Sequence, residues 1–287
     1  MNIVVTGSAG GGADLFAHAL SDAAKGTFPQ DITVENQPGD SGTLAASVVS
    51  QRSADGYTAL FANPGSIIFG PIIQKRPERK WDAFDPVARI HGEEEFIFVR
   101  GNSPWQNIND VVNAAMANPG MVKVAGSTAG STDHFVVLLL QKAANVTFTY
   151  DPYSGGGPAK TSFLAGNEEV LIGNFSELAS EVAAGTMRPV AVASEARSSI
   201  ADVPTLKEKG WNVVLFQWRG LLVPKGTSAA RIRVLADGLK TAMQSDSWST
   251  YRTNSKSLDL FLDPTEFRTY LESEEQRFAP IIQELGL

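Results

Sequence analysis

The sequence predicts an α/β fold built on largely parallel sheets and divided into two lobes. Three observations carry that prediction. Short β-branched runs alternate with helical stretches at the spacing of βαβ units. Glycine- and serine-rich segments fall repeatedly between a strand and the helix after it. Two long apolar strands bracket a self-contained middle block. The 287 residues suit one large or two medium domains, because single cores stop growing beyond roughly 250–300 residues.

Residues 3–6 read as a strand, followed by a glycine loop and a helix over 14–24. A strand over 32–36 and a helix over 43–51 come next; Asp55-Gly56 signals a turn, and 57–62 is the third strand. A strand at 96–100 opens a second series. Its members are helix 109–117, strand 122–125, helix 132–144, strand 146–150, helix 158–164, strand 170–172, helix 176–184 and strand 189–193. Residues 213–223, with Phe216, Trp218, Leu221 and Leu222, form an apolar run too long for an ordinary strand of one small sheet. Two helices close the chain. Over 228–243, Ile232, Leu235, Leu239 and Met243 share one face. The last helix opens on Asp263-Pro264-Thr265-Glu266, where Asp caps, Pro fits the first helical position and Glu completes a capping box. Phe267, Tyr270, Leu271, Phe278, Ile281, Ile282 and Leu285 make its core-facing stripe. With 96–100 and 213–223 crossing between lobes, residues 1–99 and 223–287 form the first lobe and 100–222 an inserted second one. The junction would then hold a cleft, a common place for small-molecule sites.

Composition narrows the function. With 24 basic and 31 acidic side chains, the net charge of −7 argues against general nucleic-acid binding, which needs a positive field. At 43% hydrophobic and 19% charged residues, the chain is too apolar for disorder and too polar for a membrane bundle. No run approaches the ~20 apolar residues of a spanning helix. The absence of cysteine removes disulfides, thiolate zinc sites and cysteine nucleophiles together. Three histidines, His18, His91 and His134, leave little for a metal centre, so neither metal nor cofactor is expected. Met1-Asn2 runs straight into Ile3-Val4-Val5 with no signal-peptide pattern, which fits either a cytoplasmic protein or an exported one whose signal was removed.

The glycine-rich loops are the chemical centre of the sequence. Ser8-Ala9-Gly10-Gly11-Gly12-Ala13-Asp14 lies between strand and helix, where free N–H groups and the helix dipole suit an anion. Nucleotide motifs fail here. Gly7 and Gly12 have Walker A spacing, but Ala13-Asp14 stands where Lys-Ser/Thr is needed, and Leu15 breaks the dinucleotide pattern. A second loop runs from Gly126 through Ser127, Thr128, Ala129, Gly130, Ser131, Thr132 and Asp133 to His134. Tyr153-Ser154-Gly155-Gly156-Gly157-Pro158 is a third and Asn174-Phe175-Ser176 a fourth. Any one alone reads as an ordinary βα turn with Ser/Thr caps. Several at the same end of parallel strands point to a ligand.

Other signals have plainer readings. Gly39-Asp40-Ser41-Gly42 mimics a serine-nucleophile segment without a triad around it. Asp133-His134 suggests packing or capping at a helix start before a proton relay. Glu93-Glu94-Glu95 reads as a solvated face, and residues 75–80 as an exposed basic loop. Tyr57, Trp211, Phe216 and Trp218 read as core or hinge packing, and Arg219 as the one cation placed near the cleft.

Taken in order, these motifs resemble the TctC or Bug-type substrate-binding proteins of tripartite tricarboxylate transporters. The likeness spans essentially the whole chain. It rests on residues 9–14, on Val34-Glu35-Asn36-Gln37-Pro38-Gly39 with Gly42, on Ala54-Asp55-Gly56-Tyr57-Thr58 and on Asn118-Pro119-Gly120. It continues through residues 130–134, Tyr153-Ser154-Gly155-Gly156, Leu164-Ala165-Gly166, Val203-Pro204-Thr205 and residues 220–226. The resemblance implies a type II, two-lobed periplasmic binding-protein fold, each lobe a mostly parallel sheet flanked by helices, with two crossover strands at the hinge. It also implies export to the periplasm, a small carboxylate ligand, delivery to membrane components of the transporter, a monomer, and no catalysis. On that basis Ser8, Ala9, Gly10, Gly11, Gly12, Ala13, Asp14, Ser127, Thr128, Ser131 and Thr132 are the leading contacts. Gly156, Gly157, Asn174 and Ser176 stand behind them, and Asn63, Ser66 and Arg219 complete the candidate set.

The chain departs from that pattern in two places. The loop at Ser127-Thr128-Ala129-Gly130-Ser131 is one residue shorter than the usual Ser-x-Gly-x-Gly-Ser, and Ala13 replaces a threonine. Phe216-Gln217-Trp218-Arg219-Gly220 with Asp133-His134 tilts the resemblance toward the citrate-type branch, hence di- or tricarboxylates. The rivals are a hydrolase using Ser41 or Ser127, a phosphate-substrate transferase at the glycine loops, and a carboxylate sensor on the same fold.

Overall fold

A computed structural model describes the backbone of residues 1–287 and every side chain except that of Ser41. In chain order the first elements are β1 (Asn2–Val5), α1 (Gly12–Ala23), β2 (Thr33–Asn36), α2 (Leu44–Ser50), β3 (Thr58–Ala62), α3 (Gly70–Ile73) and β4 (Phe84–Arg100). Then come α4 (Ile108–Ala117), β5 (Lys123–Gly126), α5 (Thr132–Ala144), β6 (Thr149–Pro152), α6 (Gly156–Ala165), β7 (Val170–Asn174), α7 (Phe175–Ala183) and β8 (Met187–Val192). The chain closes with β9 (Phe216–Pro224), α8 (Ala229–Ala242), α9 (Asp246–Ser255), β10 (Leu258–Leu262) and α10 (Pro264–Glu284).

The chain divides into two compact units, the first Met1–Gly92, Trp218–Asn254 and Leu258–Leu287, the second Glu93–Gln217 with Ser255–Ser257. In the first, β1 pairs in parallel with both β2 and β3, while β9 runs antiparallel to β3 and β10 antiparallel to β4. The inward positions of these strands are apolar, and Ile3, Val5, Phe61 and Leu221 pack with Phe16 and Leu20 of α1 and with Leu235 and Leu239 of α8. In the second, β5 pairs in parallel with β6 and β7, and β4 runs antiparallel between β7 and β8. Phe96 and Phe98 of β4 meet Phe163, Leu171, Leu178, Met187 and Val192 in its core. This is the α/β class the alternation predicts, with antiparallel strands added to each parallel ladder.

Several local expectations change. The strand expected at 96–100 is 17 residues long and starts at Phe84; Asp85-Pro86, Gly92 and the three glutamates hide its first half, being poor strand formers. Glu93, Glu94 and Glu95 are not a solvated face but are buried at 3%, 6% and 0% exposure. Tyr57, expected in the core, is 58% exposed. In the apolar run, only Phe216–Pro224 is strand; Val213 and Leu215 are buried in extended chain before it. The tail holds a further helix, α9, and a strand, β10, between the two expected helices. Polar Asp246-Ser247-Trp248-Ser249-Thr250 has one buried anchor, Trp248, and too little periodicity to announce a helix.

Candidate functional site

In the first unit, the parallel register aligns Val5 with Asn36 and Val4 with Leu60, so the chain leaves β1, β2 and β3 at the same carboxyl edge. Ligands of parallel α/β sheets bind at that edge. The loop after β1 is held from two sides. The Asp14 carboxylate, buried in the first turn of α1, accepts the Gly10 N–H at 2.8 Å and the Asn36 amide at 2.9 Å. The same Asn36 amide donates to the Gly7 carbonyl at 3.1 Å. Burial pushes Asp14 up, but the bonds from Gly10 and Asn36, with His18 beside it, outweigh that and leave it below the usual carboxylate range. On the other side Arg219, only 6% exposed, donates to the Gly12 carbonyl at 3.1 Å and to the Tyr251 hydroxyl at 3.3 Å. A turn bond from Gly11 N–H to the Ser8 carbonyl and a φ of +77° at Gly10 complete the bend. Helix α1 has no side-chain cap, so its first N–H groups remain as anion donors.

Asn63 and Ser66 follow β3 at the same edge. They bond chiefly to each other, with Ser66 N–H donating to Asn63 Oδ1 at 2.9 Å and Asn63 N–H to Ser66 Oγ at 3.2 Å. That pairing shapes the wide helical turn Gly65–Phe69.

The second unit repeats the device. Gly126 at the end of β5 pairs with Pro152 of β6, which places the loops after β5, β6 and β7 at one carboxyl edge. Asp133, buried in the first turn of α5, accepts both the Ser127 N–H and the Ser127 hydroxyl at 2.7 Å. Burial raises the Asp133 carboxyl, and the Ser127 bonds only partly oppose it. His134 accepts the Gly130 N–H on Nδ1 at 3.1 Å and stacks on Tyr150 with ring centres 4.4 Å apart. Burial lowers His134 to about 4, so near neutral pH the ring is uncharged and can accept that bond. Ser131 caps α5 by accepting the His134 N–H, and Tyr150 donates to the Ser127 carbonyl at 2.5 Å. Thr132 donates to Gln217 at 2.5 Å. The hydroxyls of Ser8 and Thr128 make no hydrogen bond to any described residue.

Within each unit, then, the candidate residues gather at one sheet edge: Ser8 to Asp14 with Asn63 and Ser66 in the first, and Ser127 to Thr132 with Gly156, Gly157, Asn174 and Ser176 in the second. Two candidate side chains brace the loop after β1: Asp14 from the start of α1 and Arg219 from β9. Asn174 donates to the Glu94 carbonyl at 3.2 Å and Ser176 to Glu93 Oε2 at 3.1 Å. Asn36, Tyr150 and Glu93 to Glu95 were missing from the candidate set. Asn36 stood in a motif of the resemblance, whereas nothing local in the sequence marked Tyr150 as a loop support.

The arrangement offers backbone N–H groups, hydroxyls and helix starts, which is chemistry for holding an anion. Among the described residues no group of three His, Cys, Asp or Glu could hold a metal, and no helix is long and apolar enough to cross a membrane. The Ser127 hydroxyl is held by the Asp133 carboxylate; the Ser41 side chain lies outside the described residues.

Fold and loops together define a solute-binding protein of the periplasmic binding-protein class. The family described as the tripartite tricarboxylate transporter family receptor, TctC, matches residues 16–287, and the chain belongs to it. A relative from Cupriavidus necator, a UPF0065 protein, is 27% identical, covering 100% of this chain and 88% of its own length. A Rhodopseudomonas palustris structure with adipate superposes at a TM-score of 0.86, with 25% identity, covering 100% of this chain and 97% of that one. MatC of the same organism, with bound malate, gives a TM-score of 0.87 at 23% identity, covering 98% of each chain. The family and the fold are those of binding proteins, not of enzymes.

Proposed function

We propose that this protein captures a small di- or tricarboxylate in the periplasm, as a monomer, and delivers it to the membrane components of a tripartite tricarboxylate transporter. The observation that carries this reading is the repeated device at the two sheet edges. In each unit a Gly/Ser loop leads into a helix and is pulled into shape by a buried acid of that helix's first turn, Asp14 or Asp133. The adipate and malate held by the structural neighbours are both dicarboxylates, which supports the same ligand class. Citrate is the tricarboxylate that the branch resemblance favours.

Physically, a carboxylate taken up by such loops accepts hydrogen bonds worth about 1.5–3 kcal/mol each. Helix starts add about 0.3–1 kcal/mol apiece. Micromolar affinity needs about 8 kcal/mol net, so four or five bonds suffice after ordering costs. The ligand contacts assigned are the N–H groups of Gly12 and Ala13, Ser8, Thr128, Ser131 and the open face at Gly157, where an added Cβ would meet nothing within 4 Å.

Two measurements test the proposal. Mass spectrometry of solute released on denaturing the purified protein should find a carboxylic acid. Gly157→Val should weaken binding of that acid at least tenfold while the unfolding midpoint of ligand-free protein stays put. A released solute without a carboxylate would refute the ligand class, and unchanged affinity in the variant would remove that loop from the site.

A further inference from the structure

Among the residues expected to touch a solute, Thr132 has its hydroxyl committed elsewhere. It is the first residue of α5 and only 1% exposed. Its hydroxyl lies 2.5 Å from Gln217 Oε1 and makes no other hydrogen bond among the described residues. A buried hydroxyl proton needs an acceptor, and a side-chain amide offers one only on its oxygen. The Thr132 proton therefore goes to Oε1, and that bond fixes which way the Gln217 amide faces. Its nitrogen, with both N–H donors, is turned away from Thr132. That nitrogen has no partner among the described residues and is open to solvent.

The backbone is held as firmly as the amide. Gln217 stands half-buried near the start of β9. The chain leading to it is anchored within the second unit, where the buried Leu215 donates its N–H to the Ala193 carbonyl at 2.9 Å. The Thr132 N–H, in the first turn of α5, has no intrahelical partner. A helix-start N–H and an aimed amide thus border the same Thr132 side chain. Neutral N–H donors form strong, charge-assisted hydrogen bonds with a carboxylate, and donors already held in place lose little freedom on binding. We propose that Gln217 is a ligand contact of the second unit, its amide N–H groups donating to a carboxylate oxygen of the solute. Thr132 is a positioning residue that aims this amide, not a side-chain contact. The inference rests on the carboxylate-binding reading above and deepens it, moving one donor from the Gly/Ser loop to β9.

The test is calorimetric titration of ligand-stripped protein with succinate, malate, adipate and citrate, followed by the tightest of them on variants. Gln217→Met keeps the side-chain length without the donors and should weaken binding about tenfold. Gln217→Glu still offers Thr132 an acceptor but sets a negative oxygen where the donors stood, so the loss should reach about thirtyfold or more. Thr132→Val keeps the shape without the hydroxyl. It should weaken binding about fivefold alone, but not further when combined with Gln217→Met. Thr132→Ser, which keeps the hydroxyl, should recover most of that loss. A merely structural role for Thr132 would give the same loss in both backgrounds. Unchanged affinity in Gln217→Met overturns the contact; should that variant fail to fold, Gln217→Glu decides in the same way. A Thr132→Val effect that persists in full beside Gln217→Met overturns the positioning role. In each of these cases the carboxylate reading stands. Absence of binding by all four acids to the unsubstituted protein would strike that reading itself, and the inference with it.

Discussion

At Gly126 a side chain has no room: a Cβ would stand 2.5 Å from the Tyr150 hydroxyl and 3.0 Å from the Asp133 Cβ. The position therefore fixes how closely β5 approaches the two groups that hold Ser127. Gly126→Ala should cost about 1–3 kcal/mol by overpacking and should weaken solute binding through the displaced loop. Chemical denaturation with a parallel binding titration checks both. His134 is the second informative residue, because it titrates in an accessible range. Burial holds its folded pKa at about 4, below the ordinary imidazole value of 6.5, so between those values the unfolded chain binds a proton that the folded one refuses. Stability from this group is therefore full above pH 6.5 and is lost as pH falls toward 4, by on the order of 2–3 kcal/mol. His134→Phe keeps a ring against Tyr150 without the titration. The stability lost between pH 7 and pH 4.5 should be about 2 kcal/mol smaller in the variant, and an equal loss in both proteins would contradict the assignment. Packing of His134 at a helix start was readable from the sequence, whereas the close approach at Gly126 was not. The loops' glycines, hydroxyls and following acids Asp14 and Asp133 were legible from spacing, but the Tyr150 ring and the buried Glu93 to Glu95 come from β6 and β4, outside the loops.

At the scale of elements, legibility followed periodicity and capping. Helix α10 begins where its signals place it. The Asp263 carboxylate accepts the Thr265 and Glu266 N–H groups at 2.8 and 2.9 Å, and Glu266 returns a bond from the Asp263 N–H at 3.0 Å. Asp263→Ala should cost about 1 kcal/mol, read as a lower denaturation midpoint with solute affinity unchanged. Strand β4 shows the converse. Its apolar second half was plain, but Glu93 to Glu95 read as solvent-facing because local propensity prices charge as exposed, whereas tertiary burial decided otherwise. Helix α9 failed for a related reason. A polar segment anchored by Trp248 alone has no stripe to display, although Trp248 is fully buried against Phe16 and Tyr251.

For the whole molecule, the net charge of −7 and an anionic ligand are compatible, because net charge describes the far field while N–H groups and hydroxyls act at contact. The same charge means that nothing global steers an anion in. The α/β class was legible from alternation alone, and the family from motifs spread along nearly the whole chain, while the Tyr150 support and the burial of Glu93 to Glu95 needed coordinates. The central claim, that this chain is a carboxylate-binding protein, is tested most directly by thermal unfolding of ligand-stripped protein against a panel of di- and tricarboxylates. The account predicts that at least one of them raises the unfolding midpoint in a saturable, one-to-one manner, worth about 2.7 kcal/mol at a hundredfold excess over Kd. A panel that leaves the midpoint where it stands without ligand would contradict it.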